Sequence, residues 1–392
     1  MNYNVSSLTI NSNKNIDYLF KTYPNKIKTK IKNKSFQKKM YKLIQSCILD
    51  LKNINEEIEF NANESPLNLN NIYFLSEEIK ESILNKFNSC YNISFNIDNI
   101  TFYIKFYTPS KININRYLFF IKLVLLLCSK NKNYDENHEF HLHFFLTDFE
   151  KNISNTKHKI SPHDINSGAT IINDNISIFL FRKEEWLKVF IHECFHLFCL
   201  DCSCVTDIEY KQLFSNMYFL ESDFLLYESI TEFWARIINC CFVSYFSKKK
   251  ISYKDFEQLL NVTINLEKLF SIVQMNKFLQ NFQLSYEIII DKSYSPMIKK
   301  LYKEESNGFC YYIMTSVLLH FFDQTMEWFI TNNDEDMFLN FKKSRDNIML
   351  FCYYIKSIYN KDSFLEYIKN LPHCSTCNIN MSLFEIELYK SH

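Results

Sequence analysis

The chain has 392 residues and a mass of 47.3 kDa, with 47% hydrophobic and 22% charged residues, which excludes a stapled mini-protein and wholesale disorder and allows a sizeable buried core. Forty-four Lys+Arg balance forty-four Asp+Glu, which argues against a protein whose main business is coating nucleic acid or anionic membrane. Only two glycines, Gly168 and Gly308, are present, and the Rossmann and P-loop phosphate cradles, which need several glycines close together, are absent.

The first residues are polar and lack the apolar core of a secretory signal. Lysines recur every second to fourth residue over 21–42, which reads as a solvated helix face or arm rather than a nucleic-acid contact. Residues 61–71 form a polar connection. Residues 76–87 predict a helix with Ser76 as N-cap and Glu77 and Glu78 in its first turn. Alternation over 93–97 and 101–106 about Asp98-Asn99 predicts a hairpin. A helix over 113–129 follows, then a strand over 139–147. Its apolar run, 117–128, is broken by Lys122 and is too short to span a bilayer.

A further pair of strands flanks the turn Asn173-Asp174-Asn175, the second over 176–181 and feeding directly into a helix. Beyond residue 183 apolar stripes at helical spacing dominate, predicting helices at about 183–200, 224–243, 253–282, 309–331 and 345–358. The expected division is a basic helical region over 1–60, a mixed α/β lobe with an edge strand over 61–182, a helical catalytic part over 183–340 and a helical or mixed extension over 341–392. Thirteen cysteines, an odd number, fit reduced thiols in a soluble, intracellular, cytoplasmic protein. The surplus of Asn, Lys, Ile and Phe reads as codon bias in an A+T-rich genome.

The chemistry concentrates in His192-Glu193-Cys194-Phe195-His196, an H-E-x-x-H inside an apolar helix. Side chains four apart on a helix point the same way, so the two imidazoles can grip one metal ion while Glu193, one step round, reaches water at that ion. Two histidines and a glutamate on a buried helix are costly unless bound to something. A third ligand is sought downstream. Cys199 stands where the extended metzincin motif has glycine, and without glycine the sharp turn is not expected; Cys202 and Cys204 are thiolate alternatives. The stronger candidate is Glu228, on an apolar helix that also carries Glu232 one turn on. Glu228 completes the triad, and Glu232 accepts the free N–H of a ligating histidine and fixes its tautomer.

H-E-x-x-H followed by a helix bearing E-x-x-x-[DE] resembles the gluzincin group of zinc metallopeptidases, over roughly residues 165–240. Asn166-Ser167-Gly168, the run 182–196 and the run 228–236 are also similar to zincin-like proteins of large DNA viruses. The resemblance implies an α+β, zincin-like fold: an N-terminal mixed α/β lobe with a predominantly helical C-terminal part. It implies one Zn²⁺ per chain on His192, His196 and Glu228, Glu193 as general base and acid, and Glu232 behind the ligands. It implies further that a strand, 176–181 or its partner 169–172, borders the cleft and pairs with an extended peptide or protein substrate.

Tyr218, Tyr227, Tyr311 and Tyr312 are oxyanion-donor candidates, with Tyr311 or Tyr312 preferred because they follow Gly308 at a helix start. Cys374 and Cys377 form a C-x-x-C; structural zinc there would need two further ligands, and the nearest cysteine upstream is Cys352, so free thiols are preferred. His141 and His143 share one strand face and read as satisfied structural histidines, and Cys194 as a small hydrophobe. The expected activity is zinc-dependent peptide hydrolysis. The alternatives are a catalytically silent zincin fold serving in binding or in a virion, and a helical interaction protein carrying the motif by accident.

Overall fold

The computed structural model describes residues 8–27, 30–66, 69, 72, 74–133, 137–153, 159–172, 176–205, 208–369, 371 and 378–388. The turn 173–175 and Cys374 and Cys377 lie outside these residues.

The chain opens with helices α1 (Ile10–Thr22) and α2 (Lys34–Asp50), then strand β1 (Glu57–Asn61) and helix α3 (Glu77–Lys86). Ser76 caps α3 by accepting the amide of Ile79, as its sequence predicts. The hairpin β2 (Ser89–Ile97) and β3 (Ile100–Thr108) turns at Asp98, which takes a left-handed φ of 52°. Helix α4 (Asn115–Ser129) follows and is buried from Tyr117 to Ser129, as an all-round apolar helix must be. It lies beneath the sheet, against α2 and α6.

Strand β4 (His138–Thr147), the short α5 (Pro162–Ile165), β5 (Gly168–Ile171) and β6 (Ser177–Arg182) complete a six-stranded mixed sheet in the order β1-β2-β3-β4-β6-β5. β3, β4 and β6 run parallel, and β5 runs antiparallel to β6. The expectation that 176–181 could border a cleft is therefore corrected. β6 is paired on both sides, and among the described residues β5 is the edge strand on this side of the sheet, β1 the edge on the other.

The remaining helices are α6 (Trp186–Leu197), α7 (Ile208–Met217), α8 (Leu226–Tyr245), α9 (Tyr253–Gln280), α10 (Tyr286–Ile289), α11 (Ser295–Leu301), α12 (Thr315–His320), α13 (Phe322–Asn332), α14 (Arg345–Ile358) and α15 (Asp362–Lys369). The single helix expected over 309–331 is instead three pieces: a π-helical turn Phe309–Met314, α12 and α13. The hydroxyl of Thr315 donates to the Cys310 carbonyl at 2.8 Å, and such back-bonding loosens the regular ladder.

One buried apolar cluster runs from Leu19 to Leu388, joining α4, the inner sheet face and the helices after β6. A smaller one lies between α3 and the outer face, around Ile83, Phe87, Tyr107 and Phe145. The architecture is mixed α/β, consistent with α+β. No disulfide links the eleven described cysteines, and no helix among the described residues is long and apolar enough to cross a membrane.

Candidate metal centre

β6 ends at Arg182, and three residues later the chain enters α6. Glu185 makes the corner with a left-handed φ of 55°. Helix α6 packs against β5, β6, α4 and α8, so its polar residues face other elements rather than water. Those residues fall four apart: Lys188, His192 and His196. On α8 the same spacing gives Glu228, Glu232 and Arg236, and the two stripes meet antiparallel.

His192 Nε2 lies 3.1 Å from Glu228 Oε2 and 3.2 Å from His196 Nε2. The third edge, from His196 Nε2 to Glu228 Oε2, is 3.6 Å. A tetrahedral ion with ligand bonds of about 2.0 Å has edges of ~3.3 Å, so the three donors sit as such an ion requires. Behind them, His192 Nδ1 lies 3.1 Å from Glu232 Oε2, and His196 Nδ1 is bonded to Asp201 Oδ2. With each Nδ1 committed to a carboxylate, both Nε2 atoms present lone pairs toward a third, anionic donor. Three electron-rich atoms that close, buried together, call for a cation between them. His192, His196 and Glu228 can hold a metal ion.

The electrostatics agree. Burial works against charge on both histidines, yet the bonds to Glu228 and Glu232 raise His192, and Asp201 with Glu228 raises His196 well above the usual range. Burial opposes ionisation of Glu228 and Glu232 too; the imidazoles overcome it for Glu228, and Lys188 and Arg236 for Glu232, so both carboxyls fall below their ordinary value. Lys188 Nζ sits 3.0 Å from each oxygen of Glu232, and Arg236 Nε donates to it at 2.8 Å.

Glu193 faces β5. Its Oε2 accepts from the Thr170 hydroxyl at 2.7 Å. A Cβ built on Gly168 would fall 3.2 Å from Glu193 Cγ and 2.9 Å from Val189 Cγ1. One of the two glycines in the chain is thus spent where β5 meets the helix beside Glu193.

Of the four tyrosines, Tyr311 reaches the centre, donating to Glu228 Oε2 at 3.1 Å. The ring of Tyr227 stands edge-on to His196 at 5.9 Å. Tyr312 is turned away, its hydroxyl given to the Ile379 carbonyl at 2.6 Å, and Tyr218 is paired with Tyr286. Of the preferred pair, Tyr311 touches the cluster and Tyr312 does not. Asn307 also donates to Glu228, at 3.0 Å to Oε1.

Two other expectations are corrected. The sharp turn after α6 exists without glycine: Cys199 takes a φ of 48°, and the Leu200 amide closes on the Phe195 carbonyl at 2.9 Å. That turn delivers Asp201 to His196, while no thiol joins the metal-binding group found among the described residues. His141 and His143 do share the outer sheet face, stacked on Tyr103 and Phe179 at 5.2 and 4.7 Å. His143 is not fully satisfied, however, because its buried Nδ1 finds no hydrogen-bond partner among the described residues.

Sequence reasoning missed Asp201, Thr170, Asn307 and Lys188. The first three carry no periodic signal, but Lys188 was legible as the first member of the i, i+4, i+8 stripe.

Comparison with protein-family models, curated proteins and solved structures finds no match to this chain.

Proposed function

We propose that the protein is a zincin-like, gluzincin-type zinc peptidase, with His192, His196 and Glu228 as the metal ligands. The observation that carries this reading is the convergence of two imidazole Nε2 atoms and one carboxylate oxygen, each imidazole backed by its own carboxylate. Zinc bound there would supply Lewis acidity to a substrate carbonyl and lower the pKa of water toward neutrality.

The chain's own residues do the rest. Glu193 takes a proton from the attacking water and returns it to the leaving amine. Thr170 fixes the rotamer of that carboxylate, and Glu232 and Asp201 hold the imidazole tautomers. The free edge of β5 offers backbone groups to an extended peptide. The Tyr311 hydroxyl, which donates to Glu228 Oε2, would serve as the donor to the charge that develops on the carbonyl oxygen.

A second reading, a silent metal-bearing scaffold, draws on burial: His192, Glu193 and Glu228 are exposed by only 6%, 7% and 8%. One pair of measurements separates the two. Elemental analysis is expected to give about one zinc per chain, lost in His192→Ala and Glu228→Ala and kept in Glu193→Gln. Cleavage of a peptide library is expected to fall about 10²–10⁴-fold in Glu193→Gln. Zinc without cleavage selects the scaffold; no zinc in the parent removes both readings.

A further inference from the structure

A buried polar network runs from the metal cluster to a segment 150 residues further along the chain. Lys151, Lys188 and Arg236 lie buried opposite Glu185, Glu232 and Glu267. Ionisable groups so deep in the interior are tolerable only if their charges are balanced and their oxygens find donors. The helices do not supply them all.

The missing donors come from residues 378–388. The amides of Met381 and Ser382 donate to the two oxygens of Glu185, the first at 3.1 Å. The amide of Leu383 donates to Glu267 Oε2 at 2.9 Å, and the Ser382 hydroxyl to the same oxygen at 3.3 Å. Glu385 in turn accepts the Glu185 amide at the start of α6, and Asn239 of α8 donates to the Phe384 carbonyl at 2.8 Å. The segment is thereby bonded to α8, to α9 and to the corner before α6. Its link to the metal cluster is short. Lys188 Nζ lies 3.4 Å from Met381 Sδ and 3.0 Å from Glu232, whose Oε2 lies 3.1 Å from His192 Nδ1.

We propose that residues 378–388 form an intramolecular strap that completes the metal centre. Seated in the groove between Glu185 and Glu267, the strap fixes the first turn of α6 and, through Lys188 and Glu232, the ring of His192. A divalent metal is held tightly only while the strap is seated. The inference rests on the reading of His192, His196 and Glu228 as ligands, and its test is separable from that reading.

The test uses the full chain. Ser382→Pro removes the amide donor to Glu185 and leaves every helix residue intact; Ser382→Ala removes only the hydroxyl; Phe384→Asp, a charge at a buried anchor, stands in if the proline variant does not fold. Hydrogen exchange at the amides of 381–383 measures seating, and competition with a chromophoric chelator measures Zn²⁺ affinity. Affinity is expected to fall about 10–100-fold in step with unseating, with the circular dichroism unchanged and with recovery on adding a synthetic peptide of residues 378–388. Zinc affinity that stays at the parent value while the strap amides exchange freely overturns the proposal. If the parent takes up no zinc, the ligand reading fails and the strap is judged by exchange alone. Loss of protection at the α6 amides together with 381–383 then supports the strap's hold on α6 while its metal role falls with the ligand reading, and retained protection overturns both.

Discussion

At Gly168 a single added methyl group would press on both Val189 and Glu193. Gly168→Ala is expected to cost about 1–3 kcal/mol as the neighbours give way, read from urea unfolding midpoints, and to disturb cleavage through Glu193. Thr170 tests the same contact from the polar side. Thr170→Val removes the donor to Glu193 without changing volume much, so cleavage is expected to drop with zinc content unchanged, and Thr170→Ser to recover it.

His143 makes a prediction of a different kind. Burial first, then His141 and Lys105, push it down to about 4 from an ordinary value of 6.5. The unfolded chain therefore takes up the proton before the folded one does. His143 consequently costs stability as pH falls from 6.5 toward 4, at about 1.4 kcal/mol per pH unit. His143→Phe, which keeps the stack on Phe179, is expected to abolish that part of the acid sensitivity; unfolding free energies at pH 7 and pH 5 for parent and variant measure it.

Between elements, the determining contact is α6 against α8. Its polar cluster was legible because a helix writes its geometry into the sequence: four residues bring His192 over His196, and four bring Glu228 over Glu232. Asp201 was not legible, because it depends on a left-handed Cys199 that no local preference favours. Nor was the choice of β5 over β6 as the free edge, which depends on strand order. β1 carries one exposed apolar residue, Ile58, and leans on its pairing with β2. The break in the helix after Gly308 was hidden because the apolar stripe continues through the π-helical turn.

Arg236 shows what this packing demands. It donates to Glu232, to the Ser271 hydroxyl and to the Tyr311 carbonyl at 2.8–2.9 Å. Arg236→Met strands those acceptors in a dry interior, with an expected loss of about 3–5 kcal/mol in chemical denaturation. Arg236→Lys is expected to recover only part of it, since one ammonium cannot reproduce the guanidinium fork.

Over the whole molecule, the sheet, the two striped helices and the strap at 378–388 meet at one corner, the start of α6. The alternation of strands and the helical stripes announced the mixed α/β lobe and the helical remainder. The strap had no pattern of its own to announce it, because its role lies in backbone amides offered to distant carboxylates. Among the described residues, five non-glycine positions take a positive φ, namely Asp98, Glu185, Cys199, Phe224 and Gln283. Each left-handed side chain carries a penalty of about 1–2 kcal/mol, less for Asp. Gln283, exposed just beyond α9, is the cleanest to relieve, and Gln283→Gly is expected to raise the unfolding midpoint. Relieving such a corner at an exposed position would leave the molecule more tolerant of destabilising changes elsewhere without altering the fold.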